Sequence, residues 1–137
     1  MTLAVGRLIA AGSGRQLGSV FAVTRHLALT AFHCVHDDDT DPDVITRVRC
    51  IWQHGTSDAI LQAWDEYDDV ALLRLSRPLP DSFDPVPLTS DVASNDPFVA
   101  PGAPVAMAEL HLAAVSGMVI WPDAPMANGG NGISLVC

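Results

Sequence analysis

The sequence has few basic residues. Seven lysines and arginines stand against sixteen aspartates and glutamates, which gives a formal charge of -9 at pH 7 and an isoelectric point near 4.6. Such an excess of negative charge repels nucleic acid backbones and anionic membrane surfaces. We therefore expect neither nucleic acid nor a membrane as a partner.

Cysteine is scarce as well, and long apolar runs are missing. Cys34, Cys50 and Cys137 are an odd number without metal-type spacing, which argues against both a disulfide framework and a zinc site. The first seven residues contain no basic segment followed by a long apolar one, and no run reaches the length of a membrane span. We expect a cytoplasmic chain.

One acidic stretch leaves a metal site open as a weaker alternative. His33 and His36 lie beside the run D-D-D-T-D-P-D at 37–43. The run does not fit the calcium-loop pattern, because Pro42 stands where that loop needs glycine and Val48 where it needs glutamate. We expect a solvated loop, with no metal and no cofactor.

Short apolar runs separated by turn residues dominate the 137 residues. Ten prolines and ten glycines are scattered among them, 49% of the residues are hydrophobic, and helical periodicity is weak, so we predict an all-β fold around one core. The alternation over Val44–Trp52 places Arg47 and Arg49 on one face and turns Cys50 inward. The six predicted strands, which suit a small closed barrel, are Ala4–Ala11, Ser19–Val23, Leu27–Thr30, Val44–Trp52, Asp58–Trp64 and Val70–Leu75.

Two of these strands have a titratable residue at one end. The third strand runs into T-A-F-H-C at 30–34, which carries His33, and the sixth is preceded by Asp69 in D-V-A-L-L at 69–73. An imidazole at the end of a core strand lies where burial and neighbouring charges can tune its pKa towards neutrality. Because both residues lie at strand ends of one barrel, the fold can bring them together.

These two motifs, in this order, resemble the histidine and aspartate motifs of the trypsin-like serine peptidases, which have the chymotrypsin fold. The strand G-S-V-F-A-V at 18–23 resembles the strand that precedes the histidine in intracellular and bacterial members. The resemblance implies that His33 is the general base and acid of a Ser-His-Asp triad and that Asp69 orients it. Asp68 is the neighbouring alternative, which we expect to be an exposed loop residue.

Two features depart from the family pattern. Extracellular members pair the cysteine after the histidine with one about sixteen residues earlier, where this chain has Gly18. The G-x-S-G turn that carries the nucleophile and the oxyanion hole is also missing. Ser116-Gly117 follows Asp69 but lies within an apolar stretch, so we expect it to be structural; Gly12-Ser13-Gly14 precedes the histidine, and we expect it to be a flexible loop.

The resemblance also implies a division of the chain. We predict an N-terminal β-barrel with both motifs at 1–77, a proline-rich connector at 78–104, and an incomplete C-terminal barrel at 105–137. In this last part we predict strands at Val105–Leu110, Leu112–Trp121 and Ile133–Cys137.

The function implied is that of a serine endopeptidase acting on peptides or proteins. We expect these residues to be an N-terminal fragment that lacks the serine and is inactive alone, with further domains of the polypeptide beyond Cys137 as partners. The alternatives are a non-catalytic, peptidase-like binding module and a half-enzyme completed in trans.

Overall fold

Most of the N-terminal part is β-structure. The computed structural model describes residues 2–36, 44–53, 55–88, 93–94, 97–102, 113–125 and 131–136, and from residue 98 onward the description concerns the backbone. The elements in this part of the chain are β1 (Thr2–Leu3), β2 (Val5–Ala10), β3 (Gln16–Ala22), β4 (Leu27–Thr30), α1 (Phe32–Val35), β5 (Arg47–Trp52), β6 (Gly55–Asp65), β7 (Val70–Leu75), β8 (Phe83–Asp84), β9 (Pro97–Gly102), β10 (Ala113–Pro125) and β11 (Asn131–Val136).

Six strands form a closed barrel in the order β2-β3-β4-β7-β6-β5. Every neighbouring pair is antiparallel, and β2 closes the barrel by pairing with β5. Closure leaves no strand edge unpaired, so the barrel exposes no template for aggregation. The predicted all-β class and six-stranded antiparallel barrel are confirmed, and β4 and β7 have the predicted bounds.

The barrel interior is filled by the inward residues of each strand. Along β5, Val48, Cys50 and Trp52 are buried while Arg47 and Arg49 are exposed, as the alternation predicted. The Trp52 indole N–H, buried with its ring, donates a hydrogen bond to Ser57 Oγ at 2.8 Å. Six alanines complete the core among larger residues, as suits the narrow interior of a small barrel; they are Ala4, Ala10, Ala22, Ala28, Ala59 and Ala71.

The segment that follows β7 is fastened to the barrel. Two carbonyls, of Pro80 and Phe83, accept hydrogen bonds from Arg25 Nη1, both at 2.8 Å. Leu79 and Phe83 are buried against the core, and β8 pairs in parallel with β1. No helix in the described part of the chain is long and apolar enough to cross a membrane.

A three-stranded antiparallel sheet, in the order β11-β10-β9, follows along the chain. β10 and β11 overlap two predicted strands, whereas the one predicted at Val105–Leu110 lies outside the described residues. β9 lies within the range predicted as connector. Its prolines hid it from a pattern-based prediction, but proline is tolerated in an edge strand, and β9 is at an edge of this sheet.

Candidate active site

The barrel topology brings the histidine and aspartate motifs together. β4 and β7 are antiparallel neighbours, with Thr30 opposite Ala71. The residues that follow Thr30 and those that precede Ala71 therefore lie at the same end of the barrel. A backbone hydrogen bond from Phe32 N–H to the Asp69 carbonyl, at 3.2 Å, joins the two segments there.

His33 lies in the one-turn helix α1 and is held twice by Asp69. Its ring Nδ1 lies 2.6 Å from Asp69 Oδ2, and its backbone N–H donates to Oδ1 at 2.8 Å. Because an ionised carboxylate can only accept, the proton of this bond lies on Nδ1, which leaves Nε2 as the acceptor. One carboxylate thus fixes both the position of the helix turn and the tautomer of the ring.

The pair is open to water. The His33 side chain is 73% exposed and that of Asp69 is 47% exposed. The sequence predicted a partly buried imidazole at the end of a core strand. The prediction of burial is wrong, because His33 projects outward from the strand end. Its orientation comes from hydrogen bonds instead.

Asp69 has an unusual backbone conformation. Its φ is +54°, and it is the one non-glycine residue with positive φ in the described part of the chain. Aspartate visits this left-handed region more readily than most residues. Asp65 stabilises the loop that leads to Asp69, because its Oδ1 accepts hydrogen bonds from the backbone N–H groups of Tyr67 and Asp68 at 2.9 and 3.1 Å.

Asp65 is a site residue that the sequence analysis missed. An aspartate carboxylate often stabilises a turn by accepting a hydrogen bond from the backbone N–H two residues later. The aspartate that begins the D-E-Y-D-D loop at 65–69 could have predicted this role. Asp68, in contrast, is exposed in the loop, as predicted.

Behind His33, Cys34 packs against the backbone of Gly18. A Cβ placed on Gly18 would lie 3.6 Å from Cys34 Cβ and 2.6 Å from its Sγ. Gly18 is therefore the spatial neighbour of Cys34, at the position that the resemblance assigns to a paired cysteine. Burial raises the pKa of the Cys34 thiol above its ordinary value, although a hydrogen bond with Thr30 opposes this effect. A thiol kept neutral is a poor nucleophile.

An aromatic stack supports the turn. The buried Phe32 ring stacks on His36, with ring centroids 5.1 Å apart, and on Trp64, with ring centroids 6.0 Å apart. Trp64 is 49% exposed, although it ends the strand predicted at Asp58–Trp64. A register shift between Leu61 and Ala63 interrupts the alternation of β6, and the four residues after Leu61 are all exposed.

Neither serine considered in the sequence lies at this site as a turn nucleophile. Ser116 lies within β10, where its backbone pairs with Val99. Ser13 lies in the turn after β2, where its Oγ accepts a hydrogen bond from Arg15 N–H at 3.2 Å. The acidic run at 37–43 lies outside the described residues, and the described ones include no group of three potential metal ligands.

Comparison with known families agrees with this geometry. The family model described as "Trypsin-like peptidase domain" matches residues 17–133, which include the barrel from β3 onward and both motifs. No curated protein matches the sequence significantly. Since the family model matches most of the chain, and the chain forms the closed antiparallel barrel expected of that fold, the protein belongs to the trypsin-like peptidase domain family.

Proposed function

We propose that this barrel supplies the base half of a Ser-His-Asp triad in a serine endopeptidase, with His33 as general base and acid and Asp69 as its orienting partner. The observation that carries this assignment is the pair of hydrogen bonds that the Asp69 carboxylate accepts from the ring and the backbone N–H of His33. It leaves Nε2 exposed and able to accept a proton from a serine hydroxyl.

Each residue then has a defined task. His33 Nε2 takes the proton of the attacking hydroxyl and later gives it to the leaving amine, while the negative charge of Asp69 stabilises the imidazolium formed in between. The short distance from Nδ1 to Oδ2 and the second bond to the backbone keep the ring from rotating away. Peptides or proteins are the substrate class.

The nucleophile and the oxyanion hole belong, in this proposal, to a segment outside residues 1–137. No G-x-S-G turn follows Asp69 in these residues, and Ser116 is part of a strand. We expect no peptide hydrolysis by the purified 137-residue chain. Hydrolysis that His33→Ala abolishes would contradict this assignment of the nucleophile.

The full product of the gene provides the direct test. We expect a fluorophosphonate probe to modify a serine in a G-x-S-G context, identified by mass spectrometry, and His33→Ala to slow the modification roughly 10²-fold or more. His26→Ala is the matched control, because His26 is also exposed but lies before β4, at the opposite end of that strand from His33. An unmodified protein would favour a non-catalytic binding module, and equal rates of modification in both variants would contradict the role proposed for His33.

A further inference from the structure

The positive charge of this acidic protein is concentrated on one surface. All seven basic residues are arginines, and four of them, Arg47, Arg49, Arg74 and Arg77, are exposed on or beside β5 and β7. Arg47 and Arg74 both lie opposite Ile60 of β6, one on each side of it. We call this outer surface of β5, β6 and β7, with Arg77 just after β7, the arginine face.

The arginine face is concave as well as charged. Two cavities of about 420 and 320 Å³ lie on it, and both are lined by Arg49, Asp58 and Ser76. Arg77 lines the larger cavity and Arg47 the smaller one. Because the two cavities share three residues, they are neighbours on the surface. Arg49 lies between them, with Arg77 in the larger cavity and Arg47 in the smaller one.

Most of this charge is not neutralised within the described part of the chain. Arg49 Nε donates to Asp58 Oδ1 at 2.9 Å, in an ion pair whose two side chains are both largely exposed. The side chains of Arg47, Arg74 and Arg77 make no hydrogen bond or ion pair with any residue that the structure describes. Four arginines against Asp58 and Asp65 give the face a net charge of about +2 in a protein whose formal charge is -9.

We propose that the arginine face binds an acidic peptide segment in an extended conformation. Arg47 and Arg49 are alternate residues of one strand, about 7 Å apart, which is also the spacing of alternate side chains in an extended peptide. Guanidinium groups recognise carboxylates by paired hydrogen bonds, and the serine and threonine hydroxyls that line the larger cavity add further donors.

A short peptide fits this surface better than a nucleic acid does. The positive field is local, and exposed charges are screened beyond about 8 Å at physiological salt. A long polyanion would extend past the face onto a surface of strong negative charge. The larger cavity, which Arg77 lines, lies away from His33, because Arg77 and Asp69 flank opposite ends of β7, roughly 20 Å apart. Binding there does not require catalysis.

The test uses the 137-residue chain and a fluorescein-labelled peptide of about eight residues, in which glutamate and threonine alternate, long enough to span the face. Fluorescence anisotropy is measured at low and at physiological salt. The control peptide has glutamine in place of every glutamate. The test variant is Arg47→Gln with Arg77→Gln, and Arg15→Gln is the matched control, since Arg15 is exposed in the turn between β2 and β3.

We expect the acidic peptide to bind, the glutamine peptide not to bind, and added salt to weaken binding. The double variant should bind at least about fivefold more weakly, whereas Arg15→Gln should change the dissociation constant less than about twofold. Equal losses in both variants, or equal affinity for a single-stranded oligonucleotide, would overturn the proposal. So would a salt-sensitive dimer that the double variant abolishes, since the face would then bind a second copy.

Discussion

Replacing Gly18 by cysteine should create a disulfide with Cys34 directly behind the candidate active site. A Cβ at position 18 would lie 3.6 Å from Cys34 Cβ, within the range of about 3.5–4.5 Å found in disulfides. Both residues lie on ordered backbone of the barrel, Gly18 in β3 and Cys34 in α1. The bond therefore requires adjustment of the cysteine side chains rather than a new path of the chain.

The expected gain in stability is small, because two effects oppose each other. Residues 18 and 34 are sixteen positions apart, and cross-linking a loop of this length destabilises the unfolded state by about 3 kcal/mol in the chain-entropy view. Against this, φ at Gly18 is +157°, a conformation that a residue with a Cβ adopts at a cost of about 1–2 kcal/mol. Relative to the wild type, we expect the oxidised variant to have a free energy of unfolding about 1–2 kcal/mol higher and a Tm roughly 5 °C higher.

The assay compares Gly18→Cys in its oxidised and reduced forms by thermal unfolding. Mass spectrometry of the oxidised form should identify a linked peptide pair containing positions 18 and 34. Gly18→Ser is the matched control, since it introduces a Cβ at the same backbone position without forming a bond, and it should be less stable than the wild type. Failure to form the bond, or an oxidised form less stable than the reduced one, would refute the packing described for Gly18 and Cys34.

Three further perturbations test the site and the core. Burial raises the pKa of Cys50 from near 9 to about 12, so the Cys50 thiol ionises in the unfolded chain at a lower pH than in the folded one. Above pH 9 the free energy of unfolding should therefore fall by up to about 1.4 kcal/mol per pH unit. Urea denaturation of Cys50→Ala at several pH values should show a smaller fall, because the variant lacks this thiol. Asp69→Ala should lower the free energy of unfolding by about 1–3 kcal/mol, because it removes the acceptor for His33 and places alanine at a φ of +54°. Asp69→Asn should lower it less, because asparagine tolerates that backbone conformation. Equal losses of stability in the two variants would exclude the backbone contribution. Trp64→Ala should cost about 1–2 kcal/mol through the lost stack on Phe32 and Trp64→Phe clearly less, and an unchanged unfolding midpoint in both would show that the stack is not stabilising.

The parts of the fold that could be predicted depend on local patterns. The alternation of β5 predicted which side chains face the core, because one face of a barrel strand is dry and the other wet. The two motifs predicted His33 and Asp69 as a pair, and the pairing of β4 with β7 explains physically why residues thirty-six positions apart meet.

What the patterns could not predict depends on irregular geometry. A register shift in β6 cannot be found from residue types, and it leaves Trp64, an aromatic residue of a predicted strand, exposed and stacked on Phe32. The left-handed conformation of Asp69 and the Asp65 turn are likewise matters of backbone conformation rather than hydrophobic period. β9 was hidden because proline, a strand breaker inside a sheet, is acceptable at its edge.

The barrel orients His33 but does not by itself exclude water from the His33–Asp69 pair. Asp69 fixes the ring and the backbone, yet the His33 side chain is 73% exposed. An exposed ion pair contributes only about 0–1 kcal/mol, because water screens it, whereas the same charges attract roughly fourfold more strongly near a low-dielectric surface. In the proposed mechanism, therefore, the barrel provides the geometry, and a protein surface that covers the pair during catalysis strengthens the attraction between Asp69 and the imidazolium. It follows that Asp69 should affect the rate of serine modification in the full gene product much more than it affects the stability of the barrel.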